Sequence, residues 1–311
     1  MELKRRSFLR NASIIASTAF IGKPLSAIAG VSKTVNSLAN GNTVTVFHSG
    51  NLNGQINTNL QQLGGLQEIN HLVKRQETAG LMLDAGSFLG DTDGKVMVSM
   101  MNRTGYHAVN IGDSELKNGE EALADLLPYM SFPLVNCNYS FSNALLSSKV
   151  KSHVIIQSGN LKVGITGLGK QIPGVHFKNP YLALNKTAAL LKVKEGCDLV
   201  ICLSNLDEED KTYNNTFLAE KSEYVDMIIG KNGQKVRAGA FIGRNSKKEE
   251  VVISQVGYDG LIIGKTSFSW DALSKTRNDF QHKFLVAGLP INNNAKQAQR
   301  ILYEMRSAQW A

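Results

Sequence analysis

Cysteine is nearly absent from this chain of 311 residues: Cys137, Cys197 and Cys202 are its three, and none stands in a CxxC pair. An odd number cannot close into a disulfide framework within one chain, and the spacing offers no structural zinc knuckle. Proline is scarce too, with six residues, while 42% of the chain is apolar, so proline-rich disorder is excluded and a packed core is within reach. No uninterrupted apolar run reaches the roughly 18–20 residues that a membrane span requires. A concentrated basic stripe is missing as well. The net charge of +8 falls to +4 once residues 1–29 are set aside, because these hold Lys4, Arg5, Arg6, Arg10 and Lys23 against Glu2 alone. That balance argues against nucleic acid as a partner.

What is present begins with an export address. Lys4-Arg5-Arg6-Ser7-Phe8-Leu9-Arg10 resembles the twin-arginine motif of bacterial Tat signals. Behind it lie an apolar stretch, Ala12 to Gly22, then Lys23-Pro24 and the small-residue run Ala27-Ile28-Ala29. Residues 1–29 are accordingly read as a Tat-type signal peptide cleaved close to Ala29, and residues 30–42 as a polar linker. The expected location is outside the cytoplasm, in a bacterial periplasm.

From Val44 onward, short apolar runs alternate with helical patterns. Strands are expected at Val44–His48, Leu81–Asp84, Ala108–Ile111, Leu199–Leu203 and Val225–Ile229, with a hairpin from Val154 to Gly167 turning at Ser158-Gly159-Asn160. Helical spacing covers Leu60–Gln76, Val96–Thr104 (stopped by Gly105), Glu120–Met130 and Leu182–Glu195. Segments near Ala240, Val251–Val256 and Leu261–Trp270 read as antiparallel strands. The βαβ rhythm predicts an α/β domain over residues 43–290, with a mixed sheet system and crossover helices. A closing helix is expected within residues 291–311, where Ala298, Ile301, Leu302 and Met305 keep helical spacing.

In open α/β sheets, ligands gather at the carboxyl ends of the strands. The loops there read HSGNLNGQ (48–55), DAGSFLGD (84–91), NIGDSEL (110–116), LSNLDEE (203–209) and IIGKNGQK (228–235). In this order they resemble the calcineurin-like metallophosphoesterase domain of bacterial 5′-nucleotidases and UDP-sugar hydrolases, whose loops read approximately HTNDLHG, DAGD, LGNHE, LSHLG and GGHSH or GGHSQ. Gly64-Gly65-Leu66, the segment Met101 to Tyr106, Phe132 to Asn138 and Val163 to Leu168 match supporting stretches of that family. The resemblance implies a four-layer αββα sandwich of two mixed β-sheets flanked by helices. It also implies two divalent metals, held by Asp, Asn and His, with a bridging water as nucleophile.

At the ligand positions the chain departs from that pattern. Asn51 and Asn53 stand where the family has Asp and His, and Ser87 stands where it has the bridging Asp. Asp113 takes the place of a ligand Asn, Ser114 that of the catalytic His, and Asn205 and Asn232 those of two ligand His residues. Gln234 matches a known variant of the last position. Neutral amides and hydroxyls keep hydrogen-bonding capacity but are poor ligands for such metals. The set Asn51, Asn53, Ser87, Asp113, Ser114, Asn205, Asn232 and Gln234 is thus read as a vestigial site, with no catalytic residue, no cofactor and no metal expected. Asp113, Gln234 and Asp84 are the candidates should a metal bind. Asp84 and Glu115 match structural positions of the family loops, and Asp91 and Asp93 read as turn acids. His107 reads as a surface residue and His48 as a satisfied packing histidine.

Family 5′-nucleotidases carry a further carboxyl-terminal, nucleotide-binding domain, which the sequence to Ala311 is read as lacking. The resulting expectation is an exported, catalytically silent phosphoesterase-like protein that acts by binding. A separately encoded nucleotide-binding domain or a small phosphorylated ligand is its natural partner. The alternative is a divergent phosphoesterase that hydrolyses phosphate esters with an altered site holding manganese, zinc or magnesium.

Overall fold

The structure is a computed structural model that describes residues 42–60, 62–231, 240–257, 259–271, 273–274 and 276–288, together with the backbone of 32–35. The signal segment, the closing helix, Asn232 and Gln234 lie outside the described residues.

Leu81-Met82-Leu83-Asp84 is buried at every position, the signature of a strand covered on both faces, and Leu199–Asn205 and Met227–Lys231 share it. Such strands need two apolar layers around them, and two sheets supply this. A six-stranded sheet runs in the order β15 (Arg277–Val286), β14 (Ile262–Trp270), β2 (Thr43–Ser49), β3 (Leu81–Asp84), β4 (Ala108–Asn110) and β5 (Leu134–Val135). A seven-stranded sheet runs β1 (Ser32–Val35), β7 (His153–Ser158), β8 (Leu161–Gly169), β10 (Leu199–Asn205), β11 (Met227–Lys231), β13 (Glu250–Val256) and β12 (Ala240–Arg244). A short ribbon of β6 (Tyr139–Ser140) and β9 (His176–Phe177) stands apart. In the first sheet β2 to β5 are parallel, and in the second so are β8, β10, β11 and β13.

Alternation along the strands decides the layers. Val44, Val46, Leu81 and Leu83 face inward and meet Val163, Ile165, Leu199 and Ile201 between the sheets. Phe47, Met82 and Val109 point outward to Leu66 and Ile69 of α1 (Gly65–Lys74) and Met97 and Met101 of α2 (Gly94–Thr104). On the far side, Val200, Cys202 and Ile228 meet Leu184 and Ala188 of α6 (Pro180–Ala189) and Leu218 of α7 (Asn215–Lys221). The result is the four-layer αββα sandwich with two mixed sheets.

Several boundaries differ from the sequence expectation, each for a local reason. α1 starts at Gly65 rather than Leu60, because Gly64 and Gly65 sit at φ 75° and 78°, outside the right-handed helical region. The helix expected over Glu120–Met130 is α4 (Gly119–Ala124) followed by one 3₁₀ turn, Leu127–Tyr129, since Pro128 cannot donate within a continuous helix. After the short α5 (Ala144–Lys149), the long helix from Leu182 is α6, capped by the Asn179 carboxamide, and it ends in a single π turn over Leu190–Lys194. β13 pairs parallel to β11 and antiparallel only to β12. β15 and β1 were not expected; the only consecutive apolar residues of β15 are its last three, Phe284-Leu285-Val286. β15 is an edge strand with one half-exposed polar face, and β1 forms inside the segment read as a linker, by parallel pairing with β7.

Two histidines also differ. His48 is fully buried and packs against Gly264, where a Cβ would lie 2.1 Å from its ring. Its Nε2 lies a long 3.4 Å from Thr266 Oγ1, and its Nδ1 has no partner among the described residues. It packs as expected, but it is not satisfied, and burial with the nearby His282 holds its pKa well below the usual value. His107 is no surface residue: it is half-buried, and its Nδ1 accepts the Met82 N–H at 3.0 Å. No helix among the described residues is long and apolar enough to cross a membrane.

Candidate functional site

Because β2, β3 and β4 are parallel, and β8, β10 and β11 likewise, their carboxyl ends collect on one rim where the two sheets meet. The β2 loop is tied to the β3 loop by backbone bonds from Asn51 to Gly86 (2.9 Å), Asn53 to Ser87 (3.0 Å) and Gly54 to Phe88 (2.8 Å). Asn51, Asn53 and Ser87 all lie in the left-handed region, at φ 56°, 50° and 61°. Asparagine tolerates that region, and serine there is uncommon. The loops approach so closely that a Cβ on Gly112 would lie 2.5 Å from Asn205 Nδ2 and 2.7 Å from Ser87 N.

Glu115 sets the shape of this rim. The short helix α3 (Asp113–Leu116) follows β4 and carries the Glu115 carboxylate inward, 2% exposed. Its Oε2 accepts from Ser87 N (2.9 Å) and Gly112 N (2.7 Å), and its Oε1 accepts from Leu89 N (2.9 Å) and Ser114 Oγ (2.8 Å). Ser114, where the resemblance implies a catalytic His, therefore turns back to its own neighbour. Asp84 lies one layer deeper, fully buried, and accepts from Ser49 Oγ at 2.6 Å and Gly86 N at 2.8 Å. Asp93 accepts from Lys95 N as the N-cap of α2, while Asp91 is exposed, 3.9 Å from Lys117. Glu115, Asp84 and Asp93 thus each hold backbone N–H groups, whereas among the described residues Asp91 makes only the long contact to Lys117.

At the centre, Ser87 Oγ donates to Asp113 Oδ1 at 2.6 Å and accepts from Asn205 Nδ2 at 3.0 Å and Lys231 Nζ at 3.3 Å. Asp113 is also bound by Lys231 (2.9 Å) and Lys170 (2.8 Å), and Lys170 reaches Asp207 at 2.9 Å. Asn53 stays at the rim, where its Nδ2 donates to Asp259 Oδ1 at 3.0 Å. The structure thus brings Ser87, Asp113 and Asn205 into direct contact, holds Asn51 and Asn53 beside them through backbone bonds, and leaves Ser114 turned away.

Burial alone would raise the Asp113 carboxyl, but the Lys231 charge and the hydrogen bonds from Lys170, Ser87 and Lys231 hold it well below the usual carboxylate range. Such a carboxylate is a poor general base, so the Ser87–Asp113 pair is no activated nucleophile. Sequence reasoning missed Lys170, Asp207 and Lys231. Asp207 and Lys231 stand in quoted loops and Lys170 directly follows β8, but lysine belongs to no ligand pattern and nothing local marks these residues out.

No protein-family profile matches the chain. Among curated relatives, the trifunctional nucleotide phosphoesterase YfkN of Bacillus subtilis is 22% identical over 300 residues, covering 82% of this chain and 20% of its own. Among solved structures, the crystal structure of a 5′-nucleotidase precursor from Thermus thermophilus superposes with a TM-score of 0.68 at 21% identity, covering 86% of this chain and 59% of that one. The calcineurin-like phosphoesterase structure of YfkN gives 0.61 at 17% identity, covering 86% of this chain and 97% of that one. This is a metallophosphoesterase fold related to the 5′-nucleotidases. The chain spans a fifth of the full-length YfkN it matches.

A phosphoesterase of this fold implies a pair of divalent metals, and the donors among the described residues do not fit one. Such a pair carries four positive charges and asks for several carboxylates or imidazoles. Here the described rim supplies one carboxylate at a ligand position, Asp113, and both its oxygens are already engaged by lysines. Among the described residues, no three His, Cys, Asp or Glu side chains come together in a metal-holding group.

Proposed function

We propose that this phosphoesterase-fold protein is an exported pseudoenzyme, acting by binding a partner or ligand rather than by hydrolysis. The observation that carries the reading is Ser87. At the position where the resemblance implies a bridging carboxylate, it offers a hydroxyl that donates to Asp113 and accepts from Asn205 and Lys231. A hydroxyl committed in this way brings no negative charge to a cation and no proton acceptor to water. A small phosphorylated ligand or a separately encoded nucleotide-binding domain fits the reading as partner. Export rests on the Arg5-Arg6 pair and the Ala27-Ile28-Ala29 run. Changing both arginines to lysine should leave the precursor uncleaved in the cytoplasm, seen by fractionation and immunoblot, and unchanged processing would point to another route.

The decisive assay uses bis(p-nitrophenyl) phosphate, a generic diester that needs metal chemistry but no nucleoside pocket. Purified protein in manganese or zinc should release p-nitrophenol no faster than the same buffer without protein. Turnover abolished both by chelator and by Asp113→Ala would establish the divergent phosphoesterase instead, with a metal rebuilt around Asp113.

A further inference from the structure

The rim is closed by a ring of alternating charge. Lys231 Nζ lies 2.9 Å from Asp113 Oδ1, 3.3 Å from Ser87 Oγ and 3.9 Å from Asp207 Oδ1. Lys170 Nζ lies 2.8 Å from Asp113 Oδ2 and 2.9 Å from Asp207 Oδ2. Two ammonium groups thus alternate with two carboxylates, and the formal charges cancel. The members come from both sheets. Lys170 follows β8, Asp207 follows β10 and Lys231 ends β11, all in the seven-stranded sheet, whereas Ser87 and Asp113 follow β3 and β4 in the other. Every direct ion pair between the sheets in this ring runs to Asp113.

The placement of Lys231 is specific. Its side chain is 7% exposed, against 37% for Asp113, so the ammonium is the more deeply held of the pair. It touches Ser87 and Asp113 together, the two positions at which the family resemblance puts a bridging carboxylate and a neighbouring ligand. A cation belongs between those loops in this fold, and here the chain supplies it from a strand end.

We propose that Lys170 and Lys231 are this chain's own substitute for the metal pair, a covalently tethered cation clasp that fastens the carboxyl ends of the two sheets. The inference rests on reading the site as one that holds no metal. A tethered ammonium can neutralise Asp113 and direct N–H groups at Asp113 and Ser87, which fixes the loops. It cannot supply a metal-bound hydroxide, so the architecture of the rim outlasts its chemistry. A divalent ion would have to displace Lys231 and meet the repulsion of both lysines.

Thermal unfolding of wild type, Lys231→Met and Lys170→Met, each in EDTA and in excess manganese chloride, tests the clasp without any substrate. Wild type should melt at the same temperature in both and carry no stoichiometric manganese by elemental analysis. Lys231→Met should melt roughly 5–10 °C lower, because it leaves Asp113 and Asp207 short of a partner. Manganese should recover part of that loss and appear in the elemental analysis, which a mere packing defect would not produce. A Lys231→Met protein that melts with wild type and ignores manganese overturns the clasp, and leaves the diester assay to judge the non-hydrolytic reading separately. Manganese retained stoichiometrically by wild type also overturns it. Should Lys231→Met not fold, Lys170→Met carries the test: a lower melting temperature in EDTA that manganese raises supports the clasp, and indifference to both refutes it.

Discussion

Glu115→Ala should destabilise the domain by roughly 3–5 kcal/mol, measured by urea unfolding. The carboxylate accepts from three backbone N–H groups, those of Ser87, Leu89 and Gly112, and from the Ser114 hydroxyl. Removing it leaves these donors without their acceptor in a site that water scarcely reaches, at about 1–3 kcal/mol for each fully buried group. Burial pushes the Glu115 pKa up while the donors pull it back, and the net shift is upward. Part of the loss is therefore offset by no longer burying a charge. Glu115→Gln should fall between the two, since its amide turns one acceptor into a donor aimed at other donors. A loss below about 1 kcal/mol for the alanine variant would show that the loops hold their shape without Glu115.

The second large effect is a dependence on pH. Burial lifts the Asp84 carboxyl from its ordinary range to about 7, against the Ser49 and Gly86 hydrogen bonds that lower it, with Glu115 adding a smaller upward push. The folded protein then keeps a proton that the unfolded chain releases near pH 4, so the native state binds more protons between these values. Stability should accordingly fall as pH rises from about 4 to about 7, by up to about 4 kcal/mol, and level off above. Asp113 works in the opposite sense. Its depressed pKa contributes stability above the ordinary carboxylate range that is lost on acidification, reduced by solvent screening because the side chain is 37% exposed. Asp84→Asn separates the two. Asparagine can donate to Ser49 Oγ as the protonated acid would, while Ser49 turns its own hydroxyl to Tyr106 at 2.6 Å. The variant should match wild type near pH 5 and exceed it at pH 8 by a few kcal/mol in guanidinium unfolding. A variant less stable than wild type at pH 8 would mean that the fold favours the Asp84 carboxylate, and that its pKa is not raised.

Much of the fold was legible because its strands are apolar runs bounded by glycine, serine and asparagine. Leu81–Asp84 and Leu199–Asn205 are buried on both faces and could hardly be anything else. The strands that escaped notice draw on neighbours rather than on their own residues. β15 is mostly polar at the sheet edge, with Phe280 alone among polar residues until Phe284, and β1 consists of Ser-Lys-Thr-Val, which no periodicity distinguishes from a linker. Helix ends were misplaced where one residue overruled a pattern, as at Pro128 and at Gly64-Gly65.

The sequence by itself determined an α/β domain with mixed sheets and the order of its loops, because strand patterns and strand-end motifs are local properties of the chain; the αββα layering was implied by the resemblance those loops carry. It also determined that Asn51, Ser87 and Asn205 are neutral where the family has ligands. Only the tertiary structure decided what replaced the missing charge. Lys170 and Lys231 are separated by sixty residues of chain and differ in no local way from other lysines. They become partners of Asp113 because parallel strands from two sheets end at one rim, and an ion pair between sheets is a property of that convergence, not of any segment that takes part in it.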